Sequence, residues 1–402
     1  MPIRIVPLIL LLLSVSPEIL AAEHVAEDVT GNEYQPDFAA VPFAFASENL
    51  STAVGGAAVL KHAGQPLASL FGFGLYTTNE SWVGYLGVNN YQLPGLSQWL
   101  FSGELYQGVF QEGVYYLPDA EGVIQKTLAH GDERFAKFHA KYVLPIGWGR
   151  HGAAASMRNH DAIGWNPLGS GVSSIRLSAF MQSRQLEDTA HLPQYARGVE
   201  LLAEWDNRDN GRNSTQGGQS TLKVRHGFDA DGGQDWTTWE FEQSAFLSVG
   251  GNEMFRQQIL AANFYLADTP GWNNQTYGQY HRPPQFAGIA LGGFERLRGY
   301  SARRFTGRSA LLYTLEYRVQ PHWQPLQSWP VFNFYDVPWW QWVLFAEAGK
   351  VSDTFSAESL HRDMVWSVGA GARFEVESVV VRAEFGISAE SNQFWVMVSQ
   401  PF

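Results

Sequence analysis

The stretch that decides the fold reads Leu-Leu-Tyr-Thr-Leu-Glu-Tyr-Arg-Val-Gln and spans residues 311–320. Two sets of side chains alternate along it. One set is apolar or aromatic: Leu311, Tyr313, Leu315, Tyr317 and Val319. The other set is polar apart from its first member: Leu312, Thr314, Glu316, Arg318 and Gln320. A period of two places each set on one face of a β-strand, so this stretch predicts a strand between an apolar and a polar environment.

The same alternation recurs on both sides of this stretch, and turn-forming residues separate the runs. Working outward, the sequence predicts sixteen strands, at 40–46, 53–62, 66–77, 80–91, 97–109, 134–145, 172–185, 197–207, 218–229, 235–248, 255–268, 308–320, 340–351, 363–376, 378–388 and 393–402. The intervening segments 110–133, 146–171 and 321–339 break the rhythm and are predicted to be loops or larger turns. An even number of strands is what a bacterial antiparallel membrane barrel requires.

Composition supports the membrane barrel. Only 16% of residues are charged, 14% are aromatic, 40 are glycine, and cysteine is absent. No stretch after residue 22 approaches the roughly 20 apolar residues of a membrane helix. We therefore predict an all-β fold: a transmembrane antiparallel β-barrel of sixteen strands. A soluble β-sandwich is the alternative with the same alternation. The net charge of −12 argues against nucleic acid as a partner.

The first residues predict an export signal. Residues 1–22 combine Arg4, a short apolar core and a small-residue end, which is typical of a secretory signal peptide. A membrane anchor is the alternative interpretation. We expect residues 23–37 to be a short periplasmic segment and residues 38–402 to be the barrel. With the first strand starting in the periplasm, the long segment 269–307 begins on the outer side, and its length favours a functional or inward-folded loop.

Aromatic residues cluster near predicted strand ends, at Trp329, Trp339, Trp340, Trp342, Tyr115 and Tyr116. Rings of this kind suit the headgroup level of a bilayer, although ordinary packing is the alternative for any one of them.

The long loop carries a dense motif, Leu-Gly-Gly-Phe-Glu-Arg-Leu-Arg-Gly-Tyr, at residues 291–300. Glycine allows a sharp turn, and arginine offers a planar fork of donors for carboxylates. Alternation places Glu316 and Glu347 on the polar, inward face of their strands. An arginine folded into the lumen would meet both carboxylates, and charge-assisted hydrogen bonds would hold the loop inside. The alternative is a solvated loop arginine.

The chain resembles the BamA/TamA family of outer-membrane assembly and translocation barrels, also called the bacterial surface antigen family. The resemblance covers residues 38–402 and rests on stretches 292–300, 205–210 with 217–218, 315–318, 345–351 and 399–402. The family more often has aspartate where this chain has Glu347, whose side chain reaches one methylene further.

The resemblance implies roles for particular residues. The implied loop lock comprises Arg298, Gly299, Tyr300, Glu316 and Glu347. The implied periplasmic turn after the eighth strand comprises Asp206, Arg208 and Asp209. An aromatic residue ending an alternating strand, here Phe402, resembles the recognition signal of outer-membrane barrels. It also implies a role in inserting or translocating protein or lipid-like substrates at the bacterial outer membrane.

The implied partners are outer-membrane lipids, the cell's barrel-assembly machinery during biogenesis, and a protein substrate or a separate periplasmic protein. A second copy of the chain is a further candidate. Family members usually carry folded periplasmic domains before the barrel, and residues 23–37 leave no room for one. We therefore expect a barrel-only member. A passive channel or structural barrel is the main alternative.

An outer-membrane enzyme is the least favoured alternative. No Gly-x-Ser-x-Gly motif is present. Residues 147–152 match a dinucleotide fingerprint but lack the strand–helix–strand context that it needs. His130 and the pair His160–Asp161 lie in predicted loops, where histidines are more often solvated. We predict no catalytic residue, no metal site and no cofactor.

Overall fold

A computed structural model describes residues 35–47, 51–118, 124–157, 159–161, 164–187, 192–228, 233–330, 332–377, 379–398 and 400–402. The predicted signal peptide and the predicted periplasmic segment up to residue 34 lie outside these residues.

Sixteen strands form one sheet, which we label in chain order. They are β1 Asp37–Ser47, β2 Ser51–Lys61, β3 Ser69–Thr77, β4 Trp82–Tyr91, β5 Trp99–Pro118, β6 Ile124–Val143, β7 Val172–Leu186, β8 Tyr195–Asp206, β9 Gly217–Phe228, β10 Trp236–Gly250, β11 Phe255–Asp268, β12 Ser309–Pro321, β13 Trp340–Ser352, β14 Val365–Val376, β15 Val379–Ser388 and β16 Asn392–Val398. Each strand pairs antiparallel with the next one along the chain, and each overlaps one predicted strand. The prediction of an all-β chain is confirmed.

Helical structure in the described ranges is confined to short turns. They are the 3₁₀ turns Gly147–His151, Leu326–Ser328 and Phe332–Phe334, and the α-helical turns Ala153–Ser156 and Ala357–His361. None of the helices in these ranges is long and apolar enough to cross a bilayer.

The sheet buries its polar face and exposes its apolar face. On β12, Thr314, Glu316 and Arg318 are at most 4% exposed, whereas Tyr313 and Leu315 are 42% and 55% exposed. The concave, interior face therefore buries the polar set of the alternation, and the convex face presents the apolar set. A water-soluble protein buries its apolar set instead, because apolar surface is unfavourable in water.

The two edge strands, β1 and β16, form no hydrogen-bonded ladder with each other among the residues that the structure describes. The two ends of the sheet nevertheless lie close together. Lys61 Nζ at the end of β2 lies 3.7 Å from Glu377 Oε2 in the turn between β14 and β15. Val398 of β16 packs in one apolar cluster with Val59 and Phe71 of β2 and β3. The sheet thus curls round on itself and leaves a seam between its edges.

The largest differences from the predicted strands lie in two regions. Segment 110–133 was predicted to be a loop, but β5 and β6 are 20 residues long and run through most of it. A bulge between Phe110 and Gly113 shifts the register, which breaks the period of two while the ladder continues. The last strand was predicted to reach residue 402 but ends at Val398, because the side chains that follow take interior partners, as described below.

Candidate functional site

The segment between β11 and β12 folds on itself before it enters the interior. Ala290–Leu291 pairs with Phe305–Thr306 at its neck. Gly292 and Gly293 have φ values of 105° and 119°, a region that favours glycine. A Cβ atom on Gly292 would lie 2.5 Å from the carbonyl oxygen of Ser301, so only glycine fits there. We call residues 292–304 the loop tip.

Arg298 projects from the loop tip into a ring of carboxylates and is fully buried. Its Nε donates to Glu347 Oε1 at 3.0 Å, and its backbone N–H donates to Glu347 Oε2 at 2.6 Å. Its Nη1 donates to Glu316 Oε1 at 2.7 Å and to Glu384 Oε2 at 3.0 Å. The guanidinium also lies 3.7 Å from the ring centroid of Phe345. Strands β12, β13 and β15 therefore converge on one loop residue.

Three further arginines of the wall join this ring, Arg318, Arg373 and Arg382. Arg373 Nη2 donates to Glu316 Oε1 at 2.7 Å and to Glu384 Oε1 at 2.6 Å. Arg318 lies 2.7 Å from Glu316, and Arg382 lies 2.9 Å from Glu384. We call this set the interior cluster: Arg298, Arg318, Arg373, Arg382, Glu316, Glu347 and Glu384. Its members are at most 3% exposed, and charges this deeply buried are stable only when paired.

Electrostatics favour the charged form of Arg298. Burial alone would lower the pKa of its guanidinium, but Glu347, Glu384 and Glu316 raise that pKa above its ordinary value. Arg298 therefore stays a cation, and the loop tip carries a permanent positive charge into an acidic ring.

Small residues leave room for the loop tip. A Cβ atom on Gly386 would lie 2.4 Å from the carbonyl oxygen of Arg298, and one on Gly299 would lie 2.7 Å from the backbone of Ile387. Backbone therefore packs on backbone, and polar side chains fasten the contact. Trp395 Nε1 donates to the carbonyl oxygen of Arg298 at 2.7 Å, and Ser388 Oγ donates to that of Gly299 at 2.9 Å. The loop tip thus braces β15 and β16, next to the seam.

A valine in place of Gly386 is expected to push the loop tip away from the wall. Overpacking of this kind costs about 1–3 kcal/mol, so amide hydrogens of residues 292–304 should exchange at least about fivefold faster. Hydrogen exchange followed by mass spectrometry measures this. Gly74→Val is the matched control, because the nearest atom to a Cβ there is 3.9 Å away. Equal protection in Gly386→Val and the unmodified chain would refute the close contact.

Tyr300 does not contact the carboxylates by any described bond. It is 3% exposed and packs in an apolar cluster with Leu291, Leu297 and Leu312, its ring 5.0 Å from that of Phe305. Its ring therefore packs against residues of the loop and of β12. Other loop arginines anchor the loop elsewhere: Arg296 lies 2.8 Å from Glu242, and Arg308 lies 2.9 Å from Asp268.

The turn after β8 folds inward. Asp206 binds Arg208 with Oδ2–Nη2 and Oδ1–Nε distances of 2.8 and 3.0 Å. Asp209 accepts from the Thr215 hydroxyl at 2.6 Å, which closes the turn. Arg212 of the same turn lies 3.0 Å from Glu375 on β14. The three residues of the predicted turn motif thus shape a turn that reaches across to the last strands, and its periplasmic location stays a prediction.

Another polar network lines β4 to β7. His139 Nδ1 lies 2.9 Å from Ser178 Oγ, and its Nε2 lies 3.1 Å from Glu104 Oε1. Tyr85 donates to Glu104 Oε2 at 3.2 Å. A serine, a histidine and a carboxylate that are linked by successive hydrogen bonds resemble a hydrolase triad. Ser178 is only 1% exposed, however, so no substrate reaches its hydroxyl in this conformation. The network binds the wall strands together.

The histidines singled out in the sequence lie outside the interior cluster. His130 lies in β6, with Nδ1 3.1 Å from Gln111 Oε1, rather than in a loop. The ring of His160 stacks on Trp148 at 4.3 Å. Residues 147–151 form a 3₁₀ turn and not the strand-to-helix turn of a dinucleotide site. In the described part of the chain, no three His, Asp or Glu side chains gather as metal ligands.

The sequence did not single out Glu384 as a partner of Arg298, or Arg318, Arg373 and Arg382 as members of the same cluster. Each of them alternates with apolar neighbours along its strand, as Arg382 and Glu384 do with Val381, Ala383 and Phe385. The alternation therefore indicated which face of the sheet each side chain occupies, but not which side chains bind one another. Which side chains meet depends on strand register and on the curvature of the sheet.

Comparison with known proteins identifies the architecture. One solved structure, BamA from Haemophilus ducreyi lacking POTRA domains 1–3, aligns with 91% of this chain and 70% of its own, at a TM-score of 0.53 and 11% identity. Another, CdiB from Escherichia coli, aligns with 92% of this chain and 62% of its own, at a TM-score of 0.57 and 13% identity.

No protein-family model matches the chain, and no curated protein matches it in sequence. The likeness at 11–13% identity is therefore a likeness of fold. The chain has a BamA/TamA-like barrel fold, and it spans 62% of the length of CdiB.

Proposed function

We propose that this chain is an integral outer-membrane barrel that helps to insert or translocate protein or lipid-like substrates. The observation that carries the proposal is the combination of a clamped interior loop and an unpaired seam. The loop tip that Arg298 anchors also braces β15 and β16, next to that seam. Outer-membrane lipids, the assembly machinery and a protein substrate or periplasmic partner are its expected partners.

The exterior surface supports a place in the bilayer. Large apolar side chains stand exposed on the convex face around the sheet, among them Leu86, Leu105, Phe138, Leu177, Leu201, Leu247, Leu315, Leu344, Phe385 and Phe394. An apolar band of this extent is unfavourable in water and favourable against lipid tails. Of the aromatics proposed for the membrane interfaces, Trp329 and Trp342 are exposed, whereas Tyr115, Trp339 and Trp340 are buried.

The orientation follows from the strand order. If β1 starts in the periplasm, the segment between β11 and β12 begins on the outer side, and the turn after β8 lies in the periplasm. The loop would then be an extracellular loop folded into the lumen of a sixteen-stranded barrel.

The seam is the expected working part. Edge strands offer unpaired N–H and C=O groups, which are costly in lipid and readily pair with an incoming strand. A substrate strand could therefore add at β1 or β16. The interior cluster would keep the lumen closed while the seam operates.

Locking the seam tests this function. The chain lacks cysteine. Ala39→Cys and Val398→Cys place thiols on two residues that pack against the same apolar cluster on both sides of the seam. The protein would be reconstituted in phosphatidylethanolamine–phosphatidylglycerol liposomes, and insertion of a urea-unfolded eight-stranded barrel protein would be followed by its heat-dependent gel mobility. We expect the protein to accelerate insertion over empty liposomes, and a short bis-maleimide cross-link to abolish most of the acceleration.

The control pair, Leu315→Cys with Ala346→Cys, joins residues that are already register partners on β12 and β13. Cross-linking this pair should leave the insertion rate unchanged. An insertion rate equal to that of empty liposomes, or a rate that survives seam locking, would count against the proposed function and favour a passive or structural barrel.

A further inference from the structure

The 400–402 segment lies inside the sheet. Strand β16 ends at Val398, which packs in the apolar cluster with Val59 and Phe71. Met397 is 2% exposed and Gln400 is 6% exposed. Residues 400–402 therefore lie in the lumen, whereas a strand that continued to Phe402 would have remained at the edge of the sheet.

The wall holds this segment at two places. Gln400 Oε1 accepts from Arg373 Nη1 at 2.7 Å, and Gln400 Nε2 donates to the carbonyl oxygen of Arg212 at 2.7 Å. The ring of Phe402 lies 6.1 Å from that of Phe246 on β10. The guanidinium of Arg318 lies 5.2 Å from both ring centroids, within the range of a cation–π contact.

The same arginines belong to the cluster that clamps the loop tip. Arg373 and Arg318 both bind Glu316, which in turn binds Arg298. A second link runs through the backbone, because Trp395, five residues before Gln400, donates to the carbonyl oxygen of Arg298. If Arg298 leaves, Glu316 and Glu384 lose a cation and draw Arg318 and Arg373 away from Phe402 and Gln400.

We propose that Phe246, Arg318, Arg373 and Arg212 form an interior binding site for the 400–402 segment of this chain, and that segment and loop tip stabilise each other there. Withdrawal of either one weakens the binding of the other, because such a coupling is reciprocal. A segment bound in this site cannot extend β16 as a strand. This inference concerns the resting barrel and does not depend on an insertion activity.

Labelling of single cysteines tests the coupling in the purified full chain. Pro401→Cys reports on the segment, and its rate of reaction with a maleimide-linked polyethylene glycol is the readout. The reporter should react slowly in the otherwise unmodified chain. We expect Arg298→Ala to accelerate the reaction by about tenfold, which is within the usual range of coupling between two sites.

A reciprocal arm uses Ser301→Cys as the reporter in the loop tip. Phe246→Ala removes the ring against which Phe402 packs, and it should accelerate labelling at Ser301→Cys although Phe246 lies on β10. Trp395→Phe is a milder variant that removes one hydrogen bond and no charge, so it keeps the test open if Arg298→Ala fails to fold. It should accelerate labelling at Pro401→Cys by a few-fold.

Lys141→Ala is the matched control, because it removes an interior charge that pairs with Glu204 at 2.8 Å, away from both the tip and the segment. Its labelling rates should equal those of the unmodified chain. Rapid labelling of Pro401→Cys in the unmodified chain, or rates indifferent to Arg298→Ala and Trp395→Phe, would overturn the proposal. These labelling rates do not depend on liposome insertion. Either proposal can therefore be contradicted while the other stands.

Discussion

Replacing Arg298 by alanine is expected to open the lumen. The substitution leaves Glu316, Glu347 and Glu384 without their common cation. Glu316 and Glu384 still pair with Arg373, so Glu347 is the carboxylate that loses its bonded cation. Breaking a buried charge pair by removing one partner costs about 3–5 kcal/mol, because the remaining charge is buried without compensation. The bound state of the loop tip should lose most of that energy. By population-shift arithmetic, the ratio of open to closed barrels should rise at least about a hundredfold.

Conductance in planar bilayers measures this ratio. The unmodified protein should be closed for most of the recording, and Arg298→Ala should show long openings. Arg298→Lys should behave in between, since lysine keeps the charge but lacks the planar fork that reaches three carboxylates. Arg362→Ala is the control, because Arg362 forms an exposed ion pair with Glu358.

Two results would contradict this expectation. A large, steady conductance in the unmodified protein would favour the passive-channel alternative. A closed Arg298→Ala variant would show that other contacts of the loop suffice to hold it in the lumen.

Replacing Glu316 by glutamine is expected to lower the stability of the barrel more than any other isosteric change in the interior cluster. Glu316 accepts hydrogen bonds from Arg298, Arg318 and Arg373, and it is fully buried. The amide keeps the size of the side chain but removes the negative charge that balances three cations. The loss should reach about 3–5 kcal/mol in the free energy of unfolding.

The shift of gel mobility with temperature measures this loss as a lower unfolding midpoint. Glu358→Gln changes an exposed carboxylate and should leave the midpoint in place. The double variant Arg298→Ala with Glu316→Gln should lose less than the sum of the single losses, because the two residues interact directly. Unfolding of Glu316→Gln at the temperature of the unmodified protein would show that the charge on Glu316 is dispensable.

Local chemistry made much of the fold predictable. The alternation of residues 311–320 correctly placed Glu316 and Arg318 on the buried face and Leu315 on the exposed one. It failed in β5 and β6, where a bulge interrupts the period. His130, Asp132 and Glu133 mimic the composition of a loop although they lie in β6.

The candidate site was predictable in part. The loop motif indicated an arginine that needs acidic partners, and the structure brings Arg298 to Glu316 and Glu347. Glu384 was not predicted as a partner, because it lies 86 residues further along the chain. The inward turn of the 400–402 segment was not predicted either. Phe402 had been assigned to an edge strand, and its partners Phe246 and Arg318 come from β10 and β12.

The sequence by itself determined the strands, the polarity of their two faces and the sharp glycine-rich turn of the loop tip. These properties depend on the spacing of neighbouring residues along one strand or turn, and that spacing can be read from the sequence. Only the tertiary structure decided which charges share the interior cluster, where the seam stays unpaired and where the 400–402 segment binds. Those contacts join distant strands, and a shift of one residue in register would turn Glu316 or Glu384 to the opposite face.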